Sequence, residues 1–228
     1  MTDQISPTEP AKPAKPTKGQ RTRARVLDAA AELFSGSGFH AVSLRDIAAR
    51  AGMTHAGLLH HFPGKEALLI EVLGRRDRED AHVIFRLDPD TEPRDFLAQL
   101  VGIAHRNMNT PGLVGLHAKI SAEAADPEHP AHRYFVERYR LLRDRLTRAF
   151  AALAARTDPP GDYDPALTAQ MLLAQMDGLQ TQWLLEPDAV DMRAAMVAFF
   201  ARLGLDFSDV PAFPNLHSGA PPEPPHHP

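Results

Sequence analysis

The placement of proline limits this chain more than any other feature. Of its 21 prolines, eleven fall near the two ends, at 7, 10, 13 and 16 and then at 211, 214, 221, 222, 224, 225 and 228. The other ten stand at 63, 89, 93, 111, 127, 130, 159, 160, 165 and 187. Proline has no amide hydrogen and a fixed φ, so it is shut out of helix interiors but accepted at joints and first turns. The stretches between these joints are rich in Ala, Leu, Arg, Glu and Met, all good helix formers. No run of alternating β-branched residues between turn signals is found. The sequence predicts an all-α chain.

The ends read differently. Residues 1–20 are expected to be a disordered, basic, Pro-rich tail and 206–228 a Pro-rich C-terminal tail, since such sequence buries too little surface to offset chain entropy. The AKPAKPTK repeat carries charge that suits a phosphate backbone; a solubilising tail is the alternative. The chain has no cysteine, which excludes a disulfide framework, a thiolate zinc finger and a cysteine nucleophile. No apolar stretch approaches the roughly 18 residues of a membrane span, and none resembles a signal peptide. A soluble, cytoplasmic protein is expected. Its formal net charge of −4 hides an asymmetry: residues 1–65 hold nine Lys or Arg against five Asp or Glu, leaving −8 on the rest. A basic N-terminal part on an acidic body suggests one surface facing a polyanion.

Helical periodicity places the elements. Val26, Leu27, Ala30, Leu33 and Phe34 form one apolar stripe, ended by Gly36 and Gly38. Ser43 and Asp46 have the spacing of a capping box, opening a short helix with Leu44, Ile47, Ala48 and Ala51 inward. Gly52 ends it. Thr54 caps a third helix, with Leu58, Leu59 and Phe62 as its expected apolar face, and a long helix is expected over 65–85. Two short helices joined by Ala51-Gly52-Met53-Thr54 make a helix-turn-helix, or else an ordinary αα-hairpin.

Residues 22–69 decide between these. The positions Ala29-Ala30, Leu33-Phe34, Gly38, Ser43, Ile47-Ala48, Ala51-Gly52, His60-His61-Phe62, Lys65-Glu66 and Leu68-Leu69 resemble the N-terminal DNA-binding domain of the TetR family of transcriptional repressors. The resemblance implies a DNA-binding domain over 21–66 and an effector-binding and dimerisation domain over 67–205. It implies a homodimeric repressor that a small, largely apolar effector releases from a palindromic operator. Carried over by position, Arg45 and His55 become base-edge candidates; an Arg there can bond guanine O6 and N7 together. Thr54, Gly57 and His60 match phosphate- or groove-facing positions, Lys65 a phosphate contact, and Thr22, Ser43 and Ala56 complete the DNA-facing set. The chain departs from the family at Ala56-Gly57, where Gly is usual first and a larger residue second. It departs again at Leu59, where a phosphate-binding Tyr is common. His61 is expected to support the turn.

Beyond Glu92, helices are expected over 93–109, 112–125, 129–156, 165–186 and 188–203. The last two carry a wide stripe of Leu172, Leu173, Met176, Leu179, Gln180, Trp183 and Leu184, followed by Met192, Met196, Phe199 and Leu203. Of these, Leu172, Met176, Leu179, Trp183, Met192, Met196, Phe199 and Leu203 are the expected dimer interface; plain intramolecular core is the alternative. An effector pocket is expected among Phe96, Leu100, Ile103 and Met108, then Leu116, His117, Ile120, Phe135 and Tyr139, and finally Met171 and Gln175.

Rival functions have thinner support. His129 and His132, near Asp126 and Glu128, form a conceivable metal pair but lack further ligands. No G-x-S-x-G, Walker or Rossmann pattern is present, so neither an enzyme nor a bound cofactor is expected. A purely architectural DNA-binding protein would not need an acidic helical body.

Overall fold

The computed structural model describes residues 17–84, 87–156 and 163–211, with the backbone alone at 76 and 79–84. Among the described residues there is no strand. Nine helices follow in order: α1 Lys18–Ser37, α2 Leu44–Arg50, α3 His55–His61, α4 Lys65–Ile84, α5 Pro93–Asn107, α6 Pro111–Glu123, α7 His132–Ala154, α8 Pro165–Leu185 and α9 Met192–Ala201. The all-α expectation holds.

Helix starts follow local hydrogen-bond chemistry. Thr17 forms a capping box with Gln20, so α1 begins at Lys18, inside the stretch expected to be a tail. Asp164 accepts the amides of Ala166 and Leu167 ahead of α8, with Pro165 at the first helical position. Asp191 accepts the Ala194 amide at 2.9 Å, so α9 opens at Met192 and Asp188 lies in the turn before it. The start of α7 falls at His132 and not at 129, because Pro130 interrupts and the His129 ring takes the Ala131 amide.

Two apolar cores fill the described part of the molecule. The first joins Val26, Ala30 and Phe34 of α1 to Ile47 of α2, Leu58 of α3 and Leu68, Leu69 and Val72 of α4. It also takes in Leu116 and Ile120 of α6 and Phe135 of α7. The second gathers Phe96 and Leu100 of α5, Leu146 and Phe150 of α7, Leu172 and Trp183 of α8, and Met196 and Phe200 of α9. Each Val, Leu, Ile, Phe or Met side chain among them, fully buried, contributes roughly 1.5–3 kcal/mol. The expected boundary between 66 and 67 therefore falls inside α4, whose first half belongs to the first core. Tyr139 packs against both cores.

The C-terminal tail does not begin at 206. Leu205 and Phe207 are buried, Phe207 meets the Phe200 ring edge-on at 4.9 Å, and Arg94 covers it from 5.2 Å while donating to the Asp206 carbonyl. The expected tails at 1–16, with most of the AKPAKPTK repeat, and at 212–228 lie outside the described residues, as does Phe85 at the expected end of α4.

Candidate nucleic-acid interface and interior cavity

The geometry of the short helix pair follows from its caps. Ser43 Oγ accepts the Asp46 amide at 3.2 Å, and the Asp46 carboxylate takes the Ser43 amide at 2.9 Å and the Ser43 hydroxyl at 2.6 Å. These bonds from Ser43, the side chain first, hold the Asp46 carboxyl below its ordinary range. Gly52 makes the turn at φ +66, in the left-handed region that suits glycine. Thr54 Oγ1 then accepts the Gly57 amide at 3.1 Å and starts α3.

Long-range clamps set this unit on the body. Arg50 binds Glu32 of α1 with Nε at 3.0 Å and Nη2 at 2.5 Å. Arg23 of α1 donates to the His61 carbonyl at 3.1 Å, lies 4.3 Å from the Phe62 ring centre and pairs with Glu71 of α4 at 3.1 Å. Sequence reasoning missed Arg23. Its partners stand 38 and more residues away, and no local pattern announces such a pairing.

The nine residues expected at DNA fall into two groups. Arg45, Thr54, His55, Ala56 and His60 are exposed, and Arg45 and His55 hold no side-chain partner among the described residues. The other four are engaged by the protein itself. Thr22 spends its hydroxyl proton on the Lys18 carbonyl at 3.0 Å, and Ser43 spends its own on Asp46, so neither has a donor left for phosphate. Gly57 is half-buried: a Cβ there would stand 3.2 Å from both Met53 Cε and Thr54 Oγ1, which explains the small residue. Lys65 donates to the carbonyls of Phe39 and Val42, each at 3.0 Å, and reaches that of His40 at 3.5 Å. Its ammonium therefore latches the loop between α1 and α2. Leu59, expected on the apolar face, is 41% exposed.

A cavity lies in the C-terminal body between α5, α6, α7 and α8. Its empty space, counting the part open to solvent, is about 640 Å³. Phe96, Leu100, Ile103, His117 and Tyr139 line it as expected; Leu142, Leu146, Leu173 and Met176 add apolar wall, and Asn107, Arg138, Asp177 and Gln180 add polar groups. Tyr139 donates to Asp177 Oδ2 at 2.7 Å. Burial pushes the Asp177 carboxyl up, against the opposing pull of the Tyr139 bond and Arg138; burial and then Asp177 push the Tyr139 phenol well above its ordinary value. Gln180 is buried, yet its amide has no hydrogen-bond partner among the described residues.

Six expected pocket residues lie elsewhere. Leu116, Ile120 and Phe135 belong to the first core, and Met108 packs on the second without reaching the cavity. Gln175 bonds the Ala195 carbonyl of α9 at 3.2 Å, and Met171 points outward at 57% exposed. The protomer's own core also takes up part of the expected interface. Leu172, Trp183, Met192 and Met196 are buried within the protomer, and Met176, Leu179, Phe199 and Leu203 are half-buried against the same core. The apolar side chains that do stand out on α8 are Leu167, Met171 and Leu185, the last 77% exposed.

The imidazole cluster also differs from expectation. His132 bonds the Ala124 carbonyl at 2.9 Å and is not grouped with His129. His129 instead converges with His40 and Glu123, ligand atoms lying within 4.8 Å of one another. Because His129 Nδ1 accepts the Ala131 amide at 3.1 Å, a neutral ring carries its proton on Nε2, which lies 3.5 Å from Glu123 Oε2 without a hydrogen bond between them. That nitrogen has no lone pair for a metal.

Two family models match this chain: "Bacterial regulatory proteins, tetR family" over residues 26–72 and "BetI-type transcriptional repressor, C-terminal" over 103–204. The chain belongs to the TetR family of transcriptional regulators. Its curated TetR-family relatives include the HTH-type transcriptional regulator TtgR of Pseudomonas putida, 28% identical over 182 residues, covering 77% of this chain and 86% of TtgR. The regulator UidR of Escherichia coli is 43% identical over 69 residues, covering 30% of this chain and 35% of UidR. Among solved structures, Salmonella enterica GusR matches at 26% identity with TM-score 0.64, covering 83% of this chain and 97% of GusR. A SmeT–triclosan complex shares the fold at 22% identity with TM-score 0.69, covering 81% and 90%. This TetR-family chain is thus a DNA-binding transcriptional regulator. None of its described helices is long and apolar enough to cross a membrane.

Proposed function

We propose that the protein is a homodimeric repressor whose cavity ligand releases it from a palindromic operator. The single observation that carries this reading is a clasp between the cavity and α4. Arg138 lines the cavity, and both Arg138 and Tyr134 of α7 bind the Asp77 carboxylate on α4. The other end of α4 carries Lys65, which grips the loop leading into α2. A ligand that draws Arg138 inward weakens the hold on Asp77 and frees α4 to move, carrying the helix pair with it.

On the DNA side, α3 enters the major groove. Arg45 and His55 meet base edges, and Thr54, Ala56 and His60 lie against the backbone and groove wall. The dimer forms through the outer faces of α8 and α9. Leu167, Met171, Ala174, Gly178, Thr181 and Leu185 follow one helical line on α8, and Ala194, Ala198 and Ala201 give α9 a flat exposed stripe. A two-fold pairing there matches protein symmetry to an inverted repeat. The cavity suits an apolar molecule with one hydrogen-bonding group, which Gln180 and the Tyr139–Asp177 pair can meet.

A ligand acts only through its different affinity for the two states, and coupling of about 1–3 kcal/mol changes operator affinity roughly 5–150-fold. The test starts from a panel of apolar hydroxyl and amide compounds ranked by the rise they cause in melting temperature. A compound that stabilises the full chain must lower its affinity for a duplex recovered by in vitro selection. Stabilisation with unchanged DNA affinity contradicts release.

A further inference from the structure

Neighbouring leucines on α3 have opposite fates. Leu58 is fully buried, whereas Leu59 is 41% exposed. At about 100° per residue, His55, Leu59, Ala56 and His60 fall in that order across one arc of the helix. All four are exposed, while Leu58 and Phe62 close the buried side. Leu59 therefore stands within the outward arc, one turn after His55 and beside the small Ala56. A lone surface leucine is ordinary on most proteins. This one lies on the helix that the proposed function sends into a groove.

The chemistry of that arc is divided. His55 and His60 offer nitrogen donors or acceptors, Ala56 offers little beyond its methyl, and Leu59 offers only an isobutyl group. In the major groove the single apolar feature on a natural base edge is the C5 methyl of thymine. A phosphate gains nothing from leucine, which has no donor, and a deoxyribose contact would be blind to sequence. We propose that Leu59 is a specificity-determining residue that packs on a thymine C5 methyl in each half-site. This rests on the reading of α3 as the groove-entering helix.

The test removes one methyl at a time. A duplex recovered by in vitro selection with the full chain is remade with deoxyuridine at each thymine pair in turn, altered symmetrically in both half-sites. Losing one buried methyl is worth roughly fourfold per half-site, so roughly fifteenfold for the symmetric duplex. Wild type should show a loss of that size at one thymine position. Leu59→Ala, an exposed change that should leave the melting temperature in place, should weaken the thymine duplex comparably and be indifferent to uracil at that position. If no thymine methyl matters to wild type, or if Leu59→Ala keeps the same discrimination, Leu59 does not read thymine, though α3 still reads the groove. If selection recovers no preferred duplex at all, the groove reading fails and takes this one with it.

Discussion

Lys65 and Phe39 meet twice: the ammonium donates to the Phe39 carbonyl at 3.0 Å and lies 4.4 Å from the centre of the same residue's ring. This pairing makes Lys65 a latch between the first turn of α4 and the loop entering α2. Lys65→Ala leaves the Phe39 and Val42 carbonyls short of a donor and should cost about 1–3 kcal/mol. At about 2–4 °C per kcal/mol for a chain of this size, thermal unfolding will show it. The salt dependence of DNA binding should keep its slope. A slope reduced by about one, with an unchanged melting temperature, would make Lys65 a phosphate contact after all.

The Asp77 clasp gives the clearest test of coupling. Asp77→Asn removes the charge that holds Arg138 and Tyr134 while lying outside the cavity lining. A ligand that releases wild type from DNA should still raise the melting temperature of the variant. Its effect on DNA affinity should fall toward onefold. Full release in Asp77→Asn would route the signal elsewhere.

The faces of α8 separate interface from core. Met171→Asp puts a charge on the outward line and should give monomers in sedimentation with helical circular dichroism intact. Trp183→Asp buries a charge in the second core and should unfold the protomer, because an unpaired buried carboxylate is expensive. A dimeric Met171→Asp protein would place the interface off this line.

Asp177 supplies a pH dependence with a definite sign. Burial raises its carboxyl pKa above 3.8, so between 3.8 and that raised value the folded chain binds more protons than the unfolded one. Its contribution to stability therefore falls as pH rises through that window, and the cost persists above it. Asp177→Asn keeps an acceptor for the Tyr139 hydroxyl and removes the cost. The variant should melt higher than wild type at neutral pH, with the gap narrowing toward about pH 4. A gap independent of pH would mean Asp177 bears no burial cost.

Helix order was legible because proline, glycine and capping residues act over three or four positions. The Ser43–Asp46 box, the Gly52 turn and the Asp164-Pro165 start all read directly from the chain. Which face of a helix meets what was less legible. The α8 helix is apolar nearly all round, so its stripe of Leu172, Met176 and Trp183 could not be told from the line of Met171 and Leu185 until α7 and α9 claimed one side. The surroundings of polar side chains were illegible for a related reason. The family pattern marks Lys65 and Ser43 as facing DNA, but the donors they would offer are taken by main-chain carbonyls and by Asp46. Arg138 and Asp77 lie 61 residues apart and carry no local signature at all.

Whether two copies of α3 read one duplex together is measured by fluorescence anisotropy at fixed salt. The full chain is titrated against the selected inverted repeat, a single half-site and a scrambled duplex, with Arg45→Ala alongside. Two-fold reading by α3 predicts two protomers per repeat and affinity for it about 10³-fold or more above the scrambled duplex. It also predicts a loss of roughly 1–3 kcal/mol per half-site, with relaxed preference at one base position, for Arg45→Ala. Equal affinity for the repeat and the scrambled duplex, or an Arg45→Ala variant with unaltered preference, would contradict it.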